Sequence, residues 1–206
     1  MTEDDARAWI VRGFGESALT TMNRLVDMIA DEAGEQNLVA PSTLPTIWAR
    51  HIVDSAQLLG YATAADQNGP WLDIGSGAGF PGLVIAALTS RPVILVEPRK
   101  RRAEFLQRAA EVLDLGDRVD VRCAQVQAVA VPASVISARA VATLGNLFDW
   151  ASGCASSPTR WILPKGRSAR DEVAVAKQAW HGVFHVEHSI TDPESLIVLA
   201  SGVARR

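Results

Sequence analysis

The sequence predicts an α/β fold, Rossmann-like, with a mostly parallel sheet covered by helices on both faces and a helical lead-in before it. Three observations carry this. Seven short apolar runs recur between residues 71 and 200, most of them separated by stretches of helical periodicity. The last two runs, 183–188 and 196–200, are too close together for a crossover helix and are expected to pair antiparallel. A glycine-rich stretch, Asp73 to Gly82, stands at the first strand-to-helix junction, where open α/β sheets bind ligands.

The chain has 206 residues, 48% hydrophobic and 21% charged, which suits one sizeable core and is short for two. A single domain over 1–206 is expected, with 1–65 as a helical extension and 66–206 as the α/β core. Residues 17–34 carry Leu19, Met22, Val26, Ile29 and Ala33 at helical intervals and end at Gly34. Residues 43–60 do the same with Leu44, Ile47, Trp48, Ile52 and Leu59. Neither has enough apolar surface for a core of its own, so both should pack on the rest.

Strands are expected at 71–75, 93–97, 118–123, 134–138 and 160–164, followed by the closing pair. Helices are expected at 81–88, with Pro81 tolerated in the first turn, at 99–113 and at about 141–152. The inner face of 99–113 would be Ala103, Leu106, Ala109 or Ala110, and Leu113. The six tryptophans are scattered, mostly in apolar contexts, and read as core rather than as base-stacking platforms.

The first ten residues, MTEDDARAWI, open with acids and do not resemble a signal peptide. No stretch approaches bilayer-spanning length. Cys123 and Cys154 make neither a disulfide framework nor a metal site. A cytoplasmic, metal-free protein is expected, without a membrane partner. The net charge of -3 argues at face value against nucleic acid. Its distribution argues otherwise: residues 1–40 hold eight acids and three bases, and the remainder is net positive. Residues 99–108 carry five bases against one acid, and Arg160, Lys165, Arg167 and Arg170 form a second group. Each group is either a solvated helix face or a phosphate-binding patch.

The turn DIGSGAGFPG lets backbone approach a ligand and presents helix N-terminal amides. Glu97 closes the next strand, 24 residues after Asp73, where a carboxylate can accept both hydroxyls of a ribose. Two cofactors compete. Gly77 to Gly82 satisfies the G-x-G-x-x-G dinucleotide pattern. Counted from Asp73, the stretch is D-x-G-x-G-x-G, the shape of S-adenosylmethionine sites. The acid at the strand end, the continuous spacing of Gly75, Gly77 and Gly79, and the long helical lead-in favour the methyl donor. A dinucleotide, or a turn with no ligand, remains the alternative.

Over residues 35–167 the chain resembles the bacterial 16S rRNA (guanine-N7)-methyltransferase family, RsmG or GidB. The resemblance rests on Asn37-Leu38, on Arg50-His51 with Asp54-Ser55, on DIGSGAGFPG, on EPRKRRAEFL from Glu97 to Leu106, on Ser137-Ala138-Arg139-Ala140 and on Leu163-Pro164-Lys165-Gly166. It implies the seven-stranded class I S-adenosylmethionine-dependent methyltransferase sheet. The implied substrate is one guanosine of small-subunit ribosomal RNA, near the decoding centre. By resemblance, Gly75 and Phe80 line the cofactor pocket, Ala124 and Gln125 bracket the adenine, and Arg139 belongs to the site. The family often has glutamate at Gln125, which changes an adenine contact or leaves it to the backbone, and it often has threonine at Val39.

Arg50 and Asp54 share a helix face, as do His51 and Ser55, consistent either with surface pairing or with a site. Arg139 and Lys165 end strands on the edge that carries Asp73 and Glu97. Asp73, the glycines and Glu97 are expected to fix the donor, and Arg139, Lys165 and His51 the nucleotide. Guanine N7 has a lone pair and no proton, so no general base is required. A monomer acting on the RNA or the small-subunit particle is expected. An NAD-dependent oxidoreductase, a methyltransferase for another nucleotide or small molecule, and a non-enzymatic ribosome-assembly module are the competing functions.

Overall fold

The computed structural model describes residues 1–63, 66 and 69–206. The expected boundary at 65/66 falls at Ala65, outside the described residues. Helix α1 spans Glu3–Phe14 and was not foreseen, because its buried face is only Ala6 and Ile10. Its start is a capping box: Thr2 Oγ1 accepts from Asp5 N, and the Asp5 carboxylate accepts from Thr2 N. Gly15 separates it from α2, Glu16–Glu32, which buries Ala18, Met22, Leu25 and Ile29. Of the expected stripe, Met22 and Ile29 are buried, Leu19 and Val26 are half-buried, and Ala33 lies past the helix end and is exposed.

The continuous helix expected at 43–60 is instead four short pieces: a 3-10 helix at Pro41–Thr46, a π-helical turn at Trp48–Val53, an α turn α3 at Asp54–Ala56, and a second 3-10 helix at Gln57–Tyr61. Pro45 sits inside the first piece and cannot donate to a ladder. The amides of Trp48 and Ala49 turn to the Glu3 carboxylate of α1, at 3.0 and 2.9 Å. The chain therefore restarts its helix at the π turn, a geometry frequent at functional sites.

The remaining elements are β1 (Trp71–Ile74), α4 (Gly82–Leu88), β2 (Val93–Val96), α5 (Lys100–Val112), β3 (Val119–Arg122), β4 (Val135–Ala138), α6 (Leu144–Trp150), β5 (Arg160–Lys165), α7 (Ala169–Ala179), β6 (Trp180–His188) and β7 (Leu196–Arg205). Helix α7 was not foreseen either: its inner face is Ala169, Val173 and Ala176, a weak apolar signal. The sheet runs β3-β2-β1-β4-β5-β7-β6. Strands β1 to β5 are parallel, and β7 is antiparallel to both β5 and β6. The order reverses between β1 and β4, which opens a crevice beyond their carboxyl ends.

Each sheet face has its own core. One gathers α1, α2, the 47–58 segment, α4 and α5, around Trp48, Trp71 and Phe105. The other gathers α6 and α7 around Phe148 and Trp161. Along β1 the side chains alternate, with Trp71 in the first core and Leu72 and Ile74 in the second.

The charge split seen in the sequence is closed by packing. Glu32 pairs with Arg108 at 2.7 Å, and Glu35 with Arg101 at 3.6 Å. Arg102 donates to the Asn37 carbonyl at 2.9 Å, and Arg24 to the Val112 carbonyl. The basic face of α5 thus meets the acidic end of α2. Among the described residues no helix is long and apolar enough to cross a membrane.

Candidate active site: two clefts at the sheet edge

The glycine turn leaves β1 with Gly75 at φ +67°, and its amide donates to the Val96 carbonyl at 2.7 Å. A Cβ on Gly75 would stand 2.6 Å from Val141 Cγ2, so only glycine fits both the backbone and the neighbour. Gly82 opens α4, and a Cβ there would collide with Leu95 and with Asp73 Oδ2. Asp73 is fully buried, with Oδ2 accepting from Gly82 N at 3.1 Å and Oδ1 from Ser137 Oγ at 2.7 Å. Burial pushes its carboxyl up to about 6, partly offset by those donors. Asp73 is therefore the internal brace of the turn.

Glu97 follows β2 and is nearly buried. One carboxylate oxygen accepts from Gly77 N at 3.0 Å and the other from Arg99 N at 2.9 Å. Each oxygen keeps lone-pair capacity toward the adjoining cleft. That cleft is about 370 Å³, and its lining includes Gly75, Glu97, Gln125, Val126, Val141 and Trp150. It combines an apolar wall with a fixed carboxylate.

A second cleft of about 590 Å³ lies over β4 and β5, and its lining includes Arg50, His51, Asp54, Arg139, Lys165 and Asp192. The clefts share Ala140 and Val141. Arg139 Nη1 donates to the Arg50 carbonyl at 3.1 Å and to Asp54 Oδ2 at 3.4 Å. Its Nη2 donates to His51 Nδ1 at 2.6 Å, and the guanidinium lies 5.4 Å from the centre of the Phe80 ring. A guanidinium has no acceptor, so Nδ1 is the unprotonated nitrogen. The proton is on Nε2, which donates to Thr43 Oγ1 at 3.0 Å, while Thr43 Oγ1 donates to the Ala40 carbonyl. Burial, then the Arg139 and Arg50 charges, lower the His51 pKa to about 3, so the ring is neutral. It stacks on Phe80 at 4.9 Å. Burial also lowers the Arg139 pKa, and Asp54 opposes that shift.

Asp54 pairs with Arg139 and not with Arg50, its neighbour one helical turn away in sequence. Its Oδ1 accepts from Gln57 Nε2 at 2.8 Å, Ser189 Oγ at 3.1 Å and Thr191 Oγ1 at 3.2 Å. The network ties the π-turn segment, the end of β4 and the β6–β7 connection together. Ser189 and Thr191 carry no motif, and sequence reading missed them.

Of the residues expected to bind a cofactor, Gly75, Glu97 and Gln125 line the 370 Å³ cleft. Asp73, Gly77 and Gly79 shape the turn behind it. Ala124 is not in that lining, and Arg139 belongs to the other cleft. Phe80, expected by resemblance to line the cofactor pocket, is in the lining of neither cleft. The ring is buried beneath Arg139 and against His51, where it supports them instead of facing the cofactor cleft. Lys165, expected to help fix the nucleotide, lines the second cleft. Its ammonium is nearly buried and committed to Glu172 at 2.9 Å and the Ala142 carbonyl at 2.5 Å. Trp150, read as core, is half-buried and lines the first cleft. Arg102, in the basic run read as either a solvated face or a phosphate-binding patch, lines it too.

The family model described as GidB, rRNA small subunit methyltransferase G, matches residues 18–193. The ribosomal RNA small subunit methyltransferase G of Sphingopyxis alaskensis is 47% identical over 203 residues, covering 97% of this chain and 86% of the relative. That of Rhizorhabdus wittichii is 45% identical over 210 residues, covering 100% and 95%. Among solved structures, geranyl diphosphate C-methyltransferase from Streptomyces coelicolor A3(2) superposes with a TM-score of 0.59 at 14% identity, over 72% of this chain and 78% of that one. TYW2 from M. jannaschii gives 0.54 at 13% identity, over 75% and 77%. These two share the fold, a class I Rossmann-like methyltransferase sheet with helices before it. With a family model that spans most of the chain and relatives above 40% identity along nearly all of it, the protein belongs to the GidB family of rRNA small subunit methyltransferases G.

Proposed function

We propose that this protein transfers a methyl group from S-adenosylmethionine to N7 of a guanosine in 16S ribosomal RNA. The observation that carries the reading is the pair of clefts meeting at Ala140–Val141, one built around a carboxylate and a glycine turn, the other around a guanidinium. The first cleft fits the donor. Its volume suits a nucleoside-sized ligand, Glu97 is held by two amides with lone pairs to spare, and Val126 and Trp150 offer apolar surface to a purine. When bound, the donor supplies an electrophilic methyl on a sulfonium.

The chain's own residues then position the reactants. Glu97 accepts the ribose hydroxyls, and Gln125 lies where the adenine edge would be read. Arg139 uses three N–H groups inside the protein, which leaves Nε and one hydrogen of Nη2 for the acceptor nucleotide. Neutral His51 and the Asp54 side chain hold that fork in place. N7 attacks through its own lone pair, so no side chain removes a proton, and catalysis is positioning and electrostatics. We place the protein in the cytoplasm as a monomer acting on the RNA or the small-subunit particle, with residues 1–65 and 66–206 working as one unit.

The test is methylation of small-subunit RNA from a strain lacking the modification, with labelled donor and mass mapping of the product. One labelled guanosine carrying a 7-methyl group is expected. Label on another nucleotide, or none with donor bound, overturns the assignment.

A further inference from the structure

Lys165 and Glu172 form a half-buried pair that reaches the wall between the clefts. Lys165 Nζ donates to the Ala142 carbonyl at 2.5 Å and contacts Glu172 Oε2 at 2.9 Å. The same Glu172 oxygen accepts from Leu144 N at 3.1 Å, and Ser168 Oγ donates to Oε1 at 3.2 Å. The pair therefore grips the 142–144 segment at two backbone points. Just before that segment, Ala140 has φ +56°, a left-handed conformation that costs a residue with a Cβ. Val141 leans on Gly75 and is partly exposed, at the edge common to both clefts. An unfavourable backbone geometry persists only when its surroundings hold it.

We propose that Lys165 and Glu172 are positioning residues for methyl transfer, fixing through Ala142 and Leu144 the Ala140–Val141 edge across which donor and acceptor meet. This rests on the methyltransferase reading above and replaces the role of Lys165 as a phosphate contact. Neither side chain touches the reacting atoms. The pair acts by holding Val141 against Gly75, which sets how the methyl group and the attacking nitrogen face each other. Displacement by about 1 Å at such a site lowers rates by about a hundredfold.

The two roles for Lys165 part in a pair of variants. Lys165→Met removes the grip and one cation. Glu172→Gln weakens the grip while removing an acid, which makes the cleft more attractive to phosphate. Single-turnover methylation, donor affinity by calorimetry, RNA affinity across a salt series and melting temperature are measured on both, with wild type as control. The positioning role predicts a single-turnover rate at least tenfold lower in both variants. Donor affinity and the salt slope of RNA binding should stay within twofold of wild type. Wild-type rates in Glu172→Gln, or a rate loss in Lys165→Met that is matched by weaker RNA binding and a smaller salt slope, overturn it. Should Lys165→Met fail to fold, Glu172→Gln decides alone. A wild-type protein that methylates no RNA sinks the underlying function instead, so the two failures are distinguishable.

Discussion

His51 gives the molecule an acid-labile clamp of calculable size. Its ring accepts from Arg139 and donates to Thr43, an arrangement open only to the neutral form. The folded-state pKa is about 3, against an ordinary 6.5. A depressed pKa means stability that is fully present above pH 6.5 and is lost as pH falls toward 3. At 1.36 kcal/mol per pH unit, the loss by pH 4 is about 3 kcal/mol, a large share of a typical domain's stability. Asp73 works in the opposite sense: its pKa is raised to about 6, so folding gains as pH falls from there toward 3.8. Comparing wild type with His51→Gln cancels that term and those of the other carboxylates. Glutamine offers one donor and one acceptor but cannot titrate. Urea unfolding of both proteins at steps from pH 7.5 to 4 should show wild type the more stable at 7.5, with the gap closing by about 3 kcal/mol at pH 4. A gap that does not change with pH refutes the neutral-ring assignment.

Other outcomes follow from the same geometry. Donor affinity should weaken as pH drops below about 6, where Asp73 gains a proton and faces two donors, Gly82 N and Ser137 Oγ; calorimetry giving a flat profile from pH 5 to 7 contradicts this. Gly75→Ala should lower stability by about 2 kcal/mol or more through its left-handed backbone and its collision with Val141. Adding Val141→Ala should recover only the collision, as read by thermal melting. Donor binding should change tryptophan fluorescence through Trp150, and Trp150→Phe should abolish that change. Arg108→Glu should cost about 1 kcal/mol of stability by facing Glu32, while the salt slope of RNA binding stays unaltered; a reduced slope would restore α5 as a phosphate contact.

The sheet was legible because its strands are contiguous apolar runs, and the turn because all of its parts lie within ten residues. Helices α1 and α7 were not, since alanines form much of their inner faces and leave little periodic signal. The 43–60 segment was read as one helix because its apolar stripe survives in sequence. Its interruption depends on Pro45 together with Glu3, a partner more than forty positions away. Remote pairing also explains the basic run at 99–108, whose charges are met by Glu32 and Glu35. In the site, Glu97 and Gly75 were readable from spacing, and Arg139 and His51 from family motifs. Their grouping with Asp54, Ser189 and Thr191 was not, because it is made only by tertiary contact.

Asp54 is bridged to Ser189 and Thr191, 135 and 137 positions further along. The glycine turn and Glu97 are close together in sequence, whereas the hydroxyls that orient Asp54 and, through it, Arg139 arrive from beyond β6. The donor half of the site is thus local and the acceptor half long-range. Loosening of the β6–β7 connection would therefore release the grip on a nucleotide while leaving the parts that hold the donor untouched.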